Sequence, residues 1–293
     1  MSLLNAGNSY PQYLLVAVRY LAHVGKPIGV DQFRAVLCPP GTKDQKVFDS
    51  CVDTLVELGL AQRSGTDISL AVKSNTDTDS IVDNLRSAVL ASENNTGLGE
   101  NSAQTGPRDL VRALCWYLTL DPVNDVLGWS DVQQRQPGSI KSGLGDPIVN
   151  DTRWNPFCSW SSALGFCTPA LMARDGSTAA RLMSDCTTAV RRTVRILWRA
   201  GDSVEPLSAL GELREALPVL PGGRYSTEIG IESPGPNYAG PSLSFALLRG
   251  HDEKWLRLEQ DDDARHLLHL HDPDQPDFPR TFSSITVLEV PRG

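Results

Sequence analysis

The stretch that most constrains the fold runs from Thr54 to Val72, TLVELGLAQRSGTDISLAV. It reads as the end of a helix followed by two β-compatible runs, LAQRS and ISLAV, around the Gly-containing turn GTD. The helix is GTKDQKVFDSCVDTLVELGL, with Phe48, Cys51, Val52, Leu55 and Val56 on one face and Gly59 as its stop. Two more helices precede it. YPQYLLVAVRYLAHVG places Leu14, Leu15, Val18, Leu21 and Ala22 at helical spacing, with Pro11 suited to the first turn and Gly25 to the end. GVDQFRAVLCPP is shorter and is closed by Pro39 and Pro40. Three helices followed by a hairpin is the layout of a winged helix-turn-helix, expected over residues 1–73.

Residues 74–183 form an expected central helical region. DTDSIVDNLRSAVLAS turns Ile81, Leu85, Val89 and Leu90 inward. A polar, Gly-rich loop over residues 93–106 reads as a flexible linker. PRDLVRALCWYLTLDP is a helix opening on Pro107 and closing near Pro122, and QRQPGSIKSGLGDPIVND is loop-like. The aromatic run WNPFCSWSSALGFCTPALM belongs to a core, with a short strand expected near Gly165 to Thr168. Residues 184–293 form a second winged-helix-like domain. DCTTAVRRTVRILWRAG is a helix with Asp185 as its N-cap, EPLSALGELREALP a second and SLSFALLRGH a third ending at Gly250. Leu256 and Leu258, then Leu268 and Leu270, alternate with polar residues on either side of DDDA, the pattern of a hairpin with one dry face, and FSSITVLEV adds a third strand. The fold class is therefore mainly α with small β-hairpins, α+β.

Composition narrows the function classes. No apolar run of the 293 residues approaches the ~18 needed to cross a bilayer. The N-terminus lacks a basic region followed by an apolar one, and none of the six cysteines forms a CxxC pair, which points to free thiols and a cytoplasmic protein. The formal net charge of −8 argues against general nucleic-acid binding, which draws its affinity from phosphate neutralisation. Phosphate loops, GxSxG, HExxH and zinc-finger spacings are all missing, so the sequence gives neither a catalytic residue nor a cofactor. HLLHLHDPD (His266, His269, His271, Asp272, Asp274) admits a metal site, with Asp261 to Asp263 placed to pair across the turn. Strand alternation turns His269 and His271 to one face and His266 to the other, which favours a solvated hairpin face and no metal. Cys167 reads as a buried thiol.

Two basic features remain. Lys43, Gln45 and Lys46 lie at the start of the third helix and Arg63 lies in the hairpin, where winged helices touch DNA. Asp49, Asp53 and Glu57 follow on the same helix and repel phosphate, so DNA contact and protein docking both stand as readings. Arg191, Arg195 and Arg199 repeat every four residues, with Arg192 adjacent, while Val190, Val194, Leu197 and Trp198 turn inward. This stripe is either a nucleic-acid surface or a solvated face paired to acids such as Glu212 or Glu215.

Three stretches, MSLLNAGNSYPQYLLVAVRYLA, VFDSCVDTLVELGL and WLRLEQDDDARHLLHLHDPDQPDFPRTFSSITVL, resemble the DpdG-type proteins of bacterial deazaguanine DNA-modification and restriction loci. The resemblance implies a component of a phage-defence system acting with other subunits on DNA, and it assigns no residue a role. Two functions follow as expectations. One is a non-enzymatic winged-helix component of such a system, binding DNA, partner subunits or both. The other is a protein–protein adaptor whose winged helices dock partners without touching DNA.

Overall fold

The first helix, α1 (Pro11–Val24), starts on a proline, whose φ is already helical and whose missing N–H is not needed there. It ends at Gly25, whose N–H returns to the Leu21 carbonyl at 3.0 Å. Leu14, Ala17, Val18 and Leu21 form its buried stripe, while Leu15 and Ala22 are only half-buried. β1 (Ile28–Gly29), α2 (Val30–Leu37) and α3 (Gln45–Glu57) follow. Phe33 of α2 is fully buried, stacking on Tyr20 at 5.8 Å and meeting Phe48 of α3 edge-on at 5.4 Å. α3 buries Phe48, Cys51, Val52 and Leu55, but Val56 is 37% exposed. One residue on from Leu55 is ~100° round the helix, which carries Val56 off the buried stripe. Gly59 stops the helix at φ +71°, a conformation that other residues rarely adopt.

β2 (Ala61–Ser64) and β3 (Asp67–Leu70) then pair antiparallel, Ala61 facing Leu70 and Ser64 facing Asp67. β1 pairs with the other edge of β3, giving the order β1-β3-β2. The computed structural model describes residues 2–5, 10–38, 41, 45–101, 103, 105–170, 181–261, 263–275 and 278–288, with the backbone alone at Gln45. Pro39, Pro40, Lys43 and Asp262 lie outside the described residues.

α4 (Thr78–Leu90) is capped by the Asp77 carboxylate, which accepts the Ser80 N–H at 2.8 Å. It buries Ile81, Leu85, Val89 and Leu90, as its spacing predicts. Within the Gly-rich stretch, Asn95 and Leu98 are buried. α5 (Arg108–Tyr117) begins just after Pro107. α6 (Trp129–Arg135) and α7 (Asp151–Ala163) are helices that the periodicity does not predict. α7 scatters Trp154, Phe157 and Trp160 among serines and carries Pro156 inside it, so no clean stripe marks it. β4 (Thr168–Pro169) pairs with β5 (Leu182–Met183).

The last third contains α8 (Thr187–Leu197), β6 (Ser203–Val204), α9 (Pro206–Ala216), α10 (Arg224–Glu228) and α11 (Pro241–Asp252). Four strands follow, β7 (Leu256–Glu259), β8 (Leu268–Leu270), β9 (Arg280–Phe282) and β10 (Ser284–Val287). Three expectations need correction. α11 runs two residues past Gly250. The N-cap of α8 is Cys186, although the Asp185 carboxylate does accept the Thr187 N–H at 2.9 Å. The DDDA hairpin does not form, because β7 pairs with β10 and β8 pairs with β9. Leu256, Leu258, Leu268 and Leu270 are nonetheless all buried, so the alternation marked the dry face correctly and the strand partners wrongly.

The chain divides into two units, one of residues 1–96, 103–110 and 150–164, the other of residues 97–102, 111–149 and 165–293. Residues 74–183 contribute to both. The same strand topology occurs in each. In the first unit the order α1, β1, α2, α3, β2, β3 gives the sheet β1-β3-β2. In the second, α8, β6, α9, α11, β7, β10 gives β6-β10-β7, with α10 and the β8–β9 pair inserted. The sheets are small and antiparallel and the other regular elements among the described residues are helices, an α+β fold.

Gly250 lies inside α11, where a Cβ would meet the Trp255 ring at 2.7 Å. Alanine usually gains ~1 kcal/mol over glycine in a helix. Overpacking a filled core costs ~1–3 kcal/mol, and Trp255 is 1% exposed with no room to retreat. Gly250→Ala is therefore expected to destabilise the chain, seen as a lower urea midpoint; a raised midpoint would contradict this packing.

Candidate nucleic-acid interface

Of the candidate residues at the start of α3, Lys43 lies outside the described residues and Gln45 opens the helix. Lys46 is exposed one residue further on. Past this first turn the accessible side of α3 is acidic. Asp49 binds Arg34 of α2 at 2.8 Å, and the Arg34 guanidinium lies over the Phe48 ring at 5.0 Å from its centroid. Arg63 of β2 leans back onto Asp53 of α3 at 3.8 Å. The one cation of the hairpin is thus shared with a carboxylate of the helix it flanks. Both pairs are largely exposed, so their worth to stability is small, ~0–1 kcal/mol each. Their consequence is electrostatic, because Arg34 and Arg63 neutralise acids where a DNA reader would present spare positive charge. Sequence spacing did not signal these pairs, since both reach from α3 to another element.

The corresponding helix of the second unit, α11, is buried over most of its circumference. Ser242, Leu243, Ser244, Ala246, Leu247 and Gly250 are all buried. Its accessible stripe, Pro241, Phe245, Leu248, Arg249 and Asp252, carries a single arginine, and that arginine is paired with Asp185 and Glu253, so the stripe offers phosphate no spare positive charge.

The arginine stripe is shorter than expected. α8 ends at Leu197, and Trp198 is extended at φ −129°, ψ 159°. Arg199 therefore lies beyond the helix, where its N–H donates to Asp202 at 2.8 Å. Arg191 is 3.8 Å from Glu253 and 5.9 Å from the Trp255 ring centroid. Arg192 is half-buried, and Arg195 is exposed. The partner expected for the stripe, Glu212, accepts the Trp198 indole N–H at 2.8 Å. Val190, Val194 and Trp198 face inward as predicted, whereas Leu197 is 37% exposed.

The histidines separate. His266 is 3.8 Å from Glu205, His269 stacks on Tyr238 at 4.5 Å, and His271 Nε2 lies 3.0 Å from Asp121 Oδ2. Asp261 receives the N–H of Asp263 and donates its own to Ser283 Oγ. Burial alone would push the Asp121 carboxyl up, but hydrogen bonds from His271, the Asn124 side chain and the N–H groups of Asn124 and Val123 outweigh it. The net shift is below the ordinary value of 3.8. A depressed folded pKa gives stability that is present above the unfolded value and lost as pH falls through the folded one. His271→Asn is accordingly expected to flatten the loss of urea stability below about pH 4. An acid limb identical to that of the wild type would sink the assignment.

A cleft of about 690 Å³ opens in the second unit, lined by Val126, Leu127, Met183 and Phe245 among others and by Arg135, Arg181 and Arg249. Each arginine already holds a carboxylate. Arg135 binds Asp125, Arg181 is 3.2 Å from Asp131, and Arg249 is 2.8 Å from the buried Asp185. The lining is therefore close to neutral and selects no charge. Cys167 is buried, and burial pushes the Cys51 thiol up to about 12, far from reactive thiolate chemistry.

The family model of DpdG-like proteins matches residues 1–264. The chain belongs to the DpdG-like family. No curated protein and no solved structure matches it significantly. The DpdG-like match takes in both basic features and ends between β7 and β8, so β8, β9 and β10 lie beyond it. Among the described residues, no helix of this DpdG-like protein is long and apolar enough to cross a membrane.

Proposed function

We propose that this DpdG-like protein is a non-enzymatic, cytoplasmic component of a bacterial DNA-modification and phage-defence system, and that it acts by docking protein partners. On this reading α1 to β3 form a winged helix, and α8 to β10 form a second one with an inserted strand pair. Membership of the family supports the system. The observation that carries the docking role is the charge state of α3 and its wing, where Arg34 and Arg63 are held by Asp49 and Asp53. Winged helices serve both DNA and protein partners, so the fold alone does not choose between them.

The DNA reading keeps one observation in its favour, the exposed Lys46 at the start of α3. Fluorescence anisotropy with labelled duplex and single-stranded DNA at low salt separates the two. The expected result is no salt-dependent binding by the intact chain. Binding that steepens at low salt, and that Lys43→Glu with Lys46→Glu weakens, would establish the DNA reading instead.

A further inference from the structure

We infer that a groove along α1, α2 and α3 of the first unit receives an amphipathic helix with acidic flanks from a protein partner. The inference rests on the docking role proposed above and names its surface. Two adjoining cavities, of about 530 and 270 Å³, share Val16 and Leu37 and so form one depression. Tyr20 lines one end and Phe48 the other, and the buried Phe33 ring beneath joins them, 5.8 Å from Tyr20 and 5.4 Å from Phe48. Its rim exposes large apolar side chains, Tyr13 at 41%, Val16 at 53% and Val36 at 51%. Isolated exposed apolar residues are ordinary, whereas several gathered on one concave surface mark an interaction site.

Charge and length specify the occupant. The lining carries Arg19 and His23 and no carboxylate, in a chain whose formal net charge is −8. Arg19 is held at the end of the groove by the Thr76 carbonyl at 3.2 Å and Thr78 Oγ1 at 2.6 Å. Among the described residues no carboxylate pairs with it. A partner's glutamate or aspartate supplies what the groove lacks. From Tyr13 to His23, α1 extends ~15 Å, the span of about three helical turns. That suits anchors at i, i+4, i+7 and i+11 of a bound helix.

The test uses the full chain and two labelled synthetic helical peptides. Both carry leucines at those four positions; one is flanked by glutamates, the other by lysines. Fluorescence anisotropy is expected to show at least tenfold tighter binding of the acidic peptide. Val16→Asp and Val36→Asp should each weaken it at least tenfold, and Arg19→Glu should narrow or reverse the preference. Both valines are half-exposed, so the variants are expected to fold, and circular dichroism checks this. Equal binding of the two peptides, binding indifferent to both valine variants, or no binding of either peptide would overturn the inference. A concentration-dependent dimer abolished by Val16→Asp would also overturn it, assigning the groove to a second copy. The DNA titration above shares no reagent with this test, so the docking role and its surface fail separately.

Discussion

Replacing Asp49, Asp53 and Glu57 together by lysine is expected to raise the affinity of the chain for duplex DNA steeply. The three positions lie along α3, and the substitutions raise the formal net charge from −8 to −2, two units at each. They also release Arg34 and Arg63 from their carboxylates. Up to five cations would then flank the position where a winged helix meets the phosphate backbone. Non-specific dissociation constants of ~10⁻⁴–10⁻⁶ M are typical of such surfaces at physiological salt, and each phosphate neutralised adds about −0.9 to the salt slope. An affinity gain of about a hundredfold, with a slope steeper by ~3–5, is the expected result. The carboxylates are largely exposed, so the loss of stability should stay near ~1 kcal/mol per pair. A triple variant that folds and gains no affinity for DNA at low salt would show that α3 is not placed as a recognition helix. The winged-helix reading of the first unit would fail with it.

Arg112→Ala is expected to destabilise the second unit by about 3–5 kcal/mol. Arg112 is 1% exposed, and its guanidinium donates to the Leu98 carbonyl at 2.9 and 2.6 Å and to the Asn101 carbonyl at 2.5 Å. Truncation leaves two carbonyls short of partners and a cavity where the side chain lay. The same segment is held from another side, where the Gly99 N–H donates to Glu228 at 3.0 Å and a Cβ on Gly99 would lie 2.4 Å from the Glu228 carbonyl oxygen. Arg112→Lys should recover only part of the loss, because an ammonium cannot reproduce the planar fork. Urea denaturation followed by far-UV circular dichroism measures both variants. A loss under ~1 kcal/mol for Arg112→Ala would mean that the segment needs no such clasp.

The Gly-rich stretch shows why composition alone misleads. ENNTGLGENSAQTG reads as a polar linker because glycine, asparagine and serine predominate. Yet Leu98 and Asn95 are buried, and the carbonyls that composition cannot display are what Arg112 binds. The groove follows a similar pattern. Tyr13 and Val16 fall off the stripe that α1 buries, and an apolar residue off the stripe was the available sign of a second surface. That Val16 shares a cavity with Val36 and Leu37 of α2, and Tyr13 one with Leu37, is a matter of packing, which periodicity within one helix does not contain.

The sequence by itself determined α1, α2, α3, β2, β3 and α4 of the first unit. Their stops and turns are local, with Pro11 and Gly25 bounding α1, Gly59 ending α3 and the Gly65–Thr66 turn joining β2 to β3. It also determined which leucines of β7 and β8 are buried, because a period of two fixes the face of a strand. Tertiary structure alone decided which strand lies beside which. β1 is two residues long and exists only through its pairing with Ile68 and Asp67, and β7 passes over β8 to join β10. It likewise decided the charge of the candidate interface, since Arg63 and Asp53 are legible as residues but their 3.8 Å approach is set by how the sheet packs on α3. Local periodicity records which atoms must leave water; it does not record the distant partners they leave it with.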